Sequence, residues 1–349
     1  MTNRFIAEQM VFDSPGKLSL RTVELEPQME GDAFFQTLFT TICGSDLRII
    51  SHGDSRIDEP RVLGHEVVAR VLSPGNRKEL SVGDFVSIGA DIPCALCLFC
   101  LSGRENLCVE HVALGYQIDG GLSTLIRFPE KFLLNAPIVK INPKKQIEAY
   151  ALSEPAGCVI HGVEFSSVQP EHRVLIIGGG PIGAMLAKVC QDAVGVPRDN
   201  ISIVEPFESR RKFLAAMRIN VYSNLSELTI SQESSFDRIF TATSNPESHI
   251  GILGYLSKGG RVNFFGGVPS NSSLLSIDAN LLHYSEISLE GSHGSSPRHH
   301  RQATNLISMD EDFWAKLITL KVPLNSLPSA IERLRKGLEL KVAVYFNDI

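Results

Sequence analysis

Three separate places in the first 154 residues carry side chains of the types that ligate zinc: Cys43, the adjacent pair His65 and Glu66, and Glu154. A catalytic zinc needs about three protein ligands and one position left open for substrate. Any one of these residues would be unremarkable by itself, since a lone buried cysteine or histidine usually serves the core. A second group is denser. Cys94, Cys97, Cys100 and Cys108 fall within fifteen residues as Cys-x2-Cys-x2-Cys-x7-Cys. Four thiolates close a tetrahedral zinc against water, which makes the site structural. A disulfide pair or an iron–sulfur cluster would use the same residue type, but only one such run is present. A zinc module for nucleic acid is excluded, because residues 85–112 hold one arginine, no lysine and three acids.

A third motif binds phosphate. Gly178-Gly-Gly180-Pro181-Ile182-Gly183 contains Gly-x-Gly-x-x-Gly, directly after the apolar run Arg173-Val-Leu-Ile-Ile177. That context, a buried strand before and a helix after, is what the motif requires. Gly178 permits the tight turn, Gly180 the approach of a pyrophosphate, and Gly183 close packing of helix on strand. Pro181 and Ile182 open the helix, whose free N–H groups face the phosphates. Glu205 ends the next strand pattern, at the distance where an acid meets the adenosine ribose hydroxyls and repels a 2′-phosphate. NAD is therefore favoured over NADP. Arg210 and Arg211 pull the other way, because a nearby arginine can host that phosphate.

These residues need a scaffold. The first 155 residues read as short β segments, among them Phe34 to Thr41, Val67 to Leu72, Phe85 to Ile88 and Leu122 to Phe128. Such spacing predicts a barrel-like β unit. From Arg173 to about Gly267 the pattern alternates: strands at 173–177, 201–204, 238–241 and 261–265, helices at 181–193 and 207–218. Alternation predicts an α/β doubly wound parallel sheet. A helix at 327–337 and a strand at 341–346 close the chain.

Composition agrees with this picture. The 349 residues suit two domains, with 43% hydrophobic and 21% charged residues and a net charge of -6. No basic stripe points to nucleic acid. No apolar run reaches the length of a membrane span, and no apolar segment follows the start Met1-Thr-Asn-Arg-Phe5. A cytoplasmic location is the expectation. Cys158 and Cys190 suit the core.

Taken in order, Cys43-Gly-Ser-Asp46, Gly64-His-Glu66, Val82-Gly-Asp84, Asp119-Gly-Gly121, Glu154-Pro155, the four-cysteine run and the glycine turn resemble the medium-chain, zinc-dependent alcohol dehydrogenase family. Glu154-Pro155 and the ending Gly337-Leu-Glu-Leu-Lys341-Val are most similar to its sorbitol dehydrogenase branch. The resemblance implies a GroES-like catalytic domain at 1–155, completed by 286–349, and a Rossmann domain at 156–285, with the active site in the cleft between them. It implies two zinc ions per chain. Cys43 and His65 would bind the catalytic one, with Glu66 or Glu154 completing the shell. Asp46 would orient the histidine, and Ser45 would take the substrate proton. The implied reaction moves a hydride between a secondary alcohol on a small polar substrate, a polyol or sugar derivative, and NAD(P), in a homodimer or homotetramer. An amino alcohol such as threonine or an aminocyclitol is the alternative substrate. A non-catalytic nucleotide-binding protein is the alternative of another class, disfavoured because the zinc ligands are present.

The sequence departs from the family at two points. Many members end the proton relay with a histidine where this chain has Arg48, which stays protonated and cannot act as base. The relay would end at water or at His52, four residues on. The run Arg298-His-His-Arg301 could bind a phosphate or carboxylate, or simply open a solvated helix.

Overall fold

The computed structural model describes residues 4–228, 235–269 and 272–347. The first three residues of the start read above lie outside that set. The chain divides into two compact units, residues 1–157 with 294–349, and residues 158–293.

The first unit is built on antiparallel strands. Ala33–Thr41 is its central strand, with all but one residue buried. It pairs with Glu66–Ser73 on one edge and with Lys341–Tyr345 and Leu125–Phe128 on the other. The register sets Thr41 opposite Glu66 on one side and Ala343 on the other. Residues more than 270 positions apart in sequence thus meet at one end of a strand. Phe35, Val67, Val86 and Ile126 form one apolar core of this unit. Ile49, Leu63, Leu327 and Val344 belong to a second core, which seats the helices Gly44–His52 and Leu327–Arg335. The expected strand over 122–128 begins only at Leu125, because Leu122 and Ser123 are taken up in pairing with Met10 and Gln9.

The second unit is one parallel sheet of six strands. Counted in chain order they are Val174–Ile177, Ile201–Val204, Asn220–Tyr222, Phe236–Thr241, Leu256–Phe264 and Ser288–Gly291. Their spatial order is 3-2-1-4-5-6, every neighbour parallel. This is the Rossmann order, and its switch point lies beside the first strand. All four residues of Val174–Ile177 are buried, as its unbroken apolar run requires. The helix after it, Pro181–Val189, stops four residues short of the expected Ala193. Its last turn, Cys190–Val194, widens into a π-turn that closes on Gly195 at φ +88°. Among the described residues no helix is long and apolar enough to cross a membrane.

Candidate active site

Cys43 lies two residues past the central strand and caps the helix Gly44–His52. Its backbone N–H donates to Asp46 Oδ2 at 2.9 Å. Asp46 Oδ1 stands 3.4 Å from His65 Nδ1, and Ser45 Oγ is 3.4 Å from Nε2 on the other side of the ring. The helix turn therefore places a carboxylate behind the imidazole and a hydroxyl in front of it. Neither His65 Nδ1 nor Asp46 Oδ1 makes a hydrogen bond within range, though both are buried. A metal ligand commonly has such a carboxylate on its second nitrogen, fixing the tautomer.

Cys43, His65 and Glu66 each offer a ligand atom, and the three atoms lie within 4.8 Å of one another. Burial works against a charge on His65, but the Asp46 carboxylate and the Cys43 thiol outweigh it and raise its pKa well above the ordinary value. A bound cation would displace that proton. Thiolate, imidazole and carboxylate at this range suit zinc. Glu154 stands outside this trio, in the first turn of Ser153–Phe165. Its carboxyl is buried and pushed up to about 7, first by burial and then by the Glu66 and Asp91 carboxylates.

The four-cysteine run folds into a knuckle whose ligand sulfurs also all lie within 4.8 Å of one another. Cys97 and Cys100 sulfurs are 3.5 Å apart, and those of Cys94 and Cys100 3.9 Å. A tetrahedral zinc with sulfur at about 2.3 Å sets its sulfurs about 3.8 Å apart, so the cage has the right size. Both separations are well beyond the roughly 2.05 Å of an S–S bond. Backbone N–H groups of Leu96 and Cys97 donate to Cys94 Sγ at 3.4 Å, and Cys94 N–H to Cys108 Sγ at 3.2 Å. Those dipoles stabilise thiolates.

In the second unit Gly178 takes φ +107°, and a side chain there would strike the Ala242 carbonyl. A Cβ on Gly183 would sit 2.0 Å from the Gly178 carbonyl oxygen. Space beside Gly180 is open, and Pro181 starts the helix. Glu205 is buried rather than presented at the surface. Its Oε2 accepts from Gly179 N–H at 2.8 Å and its Oε1 from Phe207 N–H at 2.9 Å. Arg210 Nη1 approaches the same carboxylate at 3.7 Å, while Arg211 binds the Glu205 and Pro206 carbonyls.

Four contributors had no role assigned to them from the sequence. Lys341 Nζ lies 2.6 Å from Glu66 Oε1, and the Thr41 hydroxyl donates to Oε2. Tyr116 is buried and sets its ring 5.9 Å from that of His65. The Arg56 guanidinium stacks on Tyr116 at 4.6 Å and is held bidentately by Asp54. Arg48 and His52 are exposed on the helix that starts at Gly44. The run at 298–301 is not a single solvated patch, because His299 and His300 are buried. His299 Nδ1 accepts from Ser296 N–H, and His300 Nε2 lies 3.2 Å from Ser87 Oγ, which leaves only the two arginines exposed.

Residues 29–138 match the family model of the alcohol dehydrogenase GroES-like domain. The chain is 29% identical to an L-threonine 3-dehydrogenase of Caldanaerobacter subterraneus subsp. tengcongensis, over 88% of this chain and 89% of that one. It is 28% identical to D-xylulose reductase A of Aspergillus oryzae, over 91% and 90%. Among solved structures it resembles an alcohol dehydrogenase from Thermotoga maritima with a TM-score of 0.88, covering 98% of this chain and 99% of that one at 21% identity.

Proposed function

We propose that this chain, which belongs to the zinc-type medium-chain alcohol dehydrogenase family, moves a hydride between NAD and a secondary alcohol on a polyol or sugar derivative. The observation that carries the reading is the close trio Cys43, His65 and Glu66, the last two buried, with Asp46 behind the imidazole. Cys43 and His65 would hold the catalytic zinc, with Glu66 or Glu154 completing the shell, and the four-cysteine knuckle would hold a structural one. Bound zinc supplies Lewis acidity toward the substrate oxygen, and bound dinucleotide supplies the hydride acceptor.

The protein's own groups do the rest. Ser45, 3.4 Å from His65 Nε2, takes the alcohol proton. Burial of His65, Glu66 and Glu154 excludes water and strengthens each charge interaction at the site. Gly178, Gly180, Pro181, Ile182 and Gly183 bind the pyrophosphate, with Glu205 favouring NAD over NADP. The working state is a cytoplasmic homodimer or homotetramer, and the substrate preference that of the sorbitol dehydrogenase branch.

A second reading, oxidation of an amino alcohol, is supported by the 29% identity to an L-threonine 3-dehydrogenase. A panel of polyols, their ketoses and L-threonine, offered with NAD and with NADP and followed by nicotinamide absorbance, separates the two. Turnover of polyols is the expected result; turnover of L-threonine and no polyol would replace it, and no turnover of any alcohol by zinc-loaded protein would remove both.

A further inference from the structure

The helix Gly44–His52 that supplies Ser45 also supplies Arg48, one turn on and therefore on the same face. Arg48 is exposed, and an arginine cannot take the proton that a histidine would take there. A second guanidinium stands nearby. Arg56 lies 4.6 Å from the centre of the Tyr116 ring, which is itself 5.9 Å from the ring of His65. Arg56 Nε and Nη2 donate to Asp54 at 2.9 and 2.7 Å, which leaves Nη1 outside that clamp. Stacking on one face and a bidentate bond along one edge fix this guanidinium, although its side chain is 47% exposed.

Charge indicates what the pair is for. The bond from Arg56 holds the Asp54 carboxyl down to about 2, and the field of Arg48 adds to that effect, so both cations face one carboxylate. One acid cannot neutralise two guanidiniums, and the surplus is positive. A surface ion pair by itself stabilises little, so the clamp of Asp54 on Arg56 has no need of a second arginine beside it. The planar fork of a guanidinium matches a carboxylate or a phosphate in two parallel bonds. A neutral polyol offers only hydroxyls, for which uncharged amide or hydroxyl side chains would serve.

We propose that Arg48 and Arg56 recognise an oxyanion on the substrate, so that the preferred alcohol is an acidic polyol, a sugar acid or a sugar-alcohol phosphate, with its charged group a few carbons from the carbinol that meets Ser45. This rests on the reading of Cys43, His65 and Ser45 as the site of alcohol oxidation. Tyr116 sets the spacing, since its ring separates the fixed guanidinium from His65.

The test offers the zinc-loaded enzyme matched hexitols, hexonates and hexitol phosphates with NAD, and measures turnover and, by calorimetry, equilibrium binding. The acids should exceed their neutral counterparts in kcat/KM by about 10- to 100-fold, the worth of a charge-assisted hydrogen bond, with the gain in KM rather than kcat. The better of the carboxylate and phosphate arms names the anion. Arg48→Gln and Arg56→Gln should each lower the acid-to-neutral ratio of kcat/KM about tenfold, and Arg48→Lys should restore part of it. Added salt should shrink the ratio. Arg48→Gln, at an exposed position, serves if the Arg56 variant does not fold. Variants that raise only the KM for NAD would assign the arginines to the dinucleotide and overturn the inference. Equal use of acidic and neutral substrates, or a ratio unmoved in both Gln variants, overturns it while leaving the proposed function standing. Tight binding of a hexonate that both Gln variants weaken, with no turnover of any alcohol, would keep the anion site and remove the proposed function. Neither binding nor turnover would remove both.

Discussion

Glu205 accepts a hydrogen bond from the backbone of Gly179 at 2.8 Å, so the acid at the end of the second parallel strand is tied to the glycine turn at the end of the first. An ionised carboxylate has about four acceptor positions, so these backbone bonds leave lone pairs for a ribose. The same residue therefore shapes the turn and would read the sugar. Replacing Glu205 with Gln should cut kcat/KM for NAD by about 10- to 100-fold, the worth of a charged hydrogen bond. It should also raise the relative use of NADP, with Arg210 freed of its partner. Steady-state kinetics with both cofactors decide this; an unchanged ratio would confine Glu205 to holding the turn.

The catalytic metal can be removed selectively. Cys43→Ser should lower the zinc content from about two ions per chain to about one. Activity should fall by three orders of magnitude or so, since a Lewis acid contributes several kcal/mol. The four-cysteine knuckle should keep its ion, so atomic absorption and circular dichroism together separate loss of a ligand from loss of fold.

Proton handling should depend on Ser45. Ser45→Ala should lower kcat about 100-fold near neutral pH and less in alkaline buffer, where solvent can accept the proton. Tyr116→Phe keeps the ring against His65 and Arg56, so a smaller loss is expected. A flat ratio of variant to wild-type kcat across pH would exclude a proton-transfer role for Ser45.

Acid should destabilise the first unit through His300. Burial pushes this imidazole down to about 4, while an unfolded chain titrates near the ordinary 6.5. Its folded pKa is depressed, so its contribution is complete above pH 6.5 and is lost as pH falls toward 4. The span of 2.5 units is worth at most about 3 kcal/mol. Denaturant midpoints of wild type and His300→Gln, compared at pH 7 and pH 4.5, should therefore converge in acid. Parallel curves would show that His300 does not titrate as described.

Patterns confined to neighbouring residues were legible in the chain. The apolar run before Gly178 and the turn itself announce a parallel strand, a tight bend and a helix, all within eleven residues. The cysteine spacing likewise announces its cage, since one knuckle brings all four sulfurs together. Pairings set by strand register were not legible. Lys341 reads as the start of an apolar strand, and only the alignment of Ala343 with Thr41, and of Thr41 with Glu66, brings it to a carboxylate 275 residues away. His299 and His300 read as part of a basic run, because a four-residue segment of a helix does not declare which face it buries. The inward turn of Glu205 was hidden for a similar reason: sequence gives its position on a strand end but not its rotamer.

Because Lys341–Tyr345 is an interior strand of the first unit, flanked by Ala33–Thr41 and Ile318–Pro323, a growing polypeptide exposes a raw sheet edge until translation passes residue 345. Assembly of this unit is therefore non-local and correspondingly slow. A chain cut before residue 341 would keep an open seam at its centre, prone to pair with another copy of itself, and without the ammonium that balances Glu66.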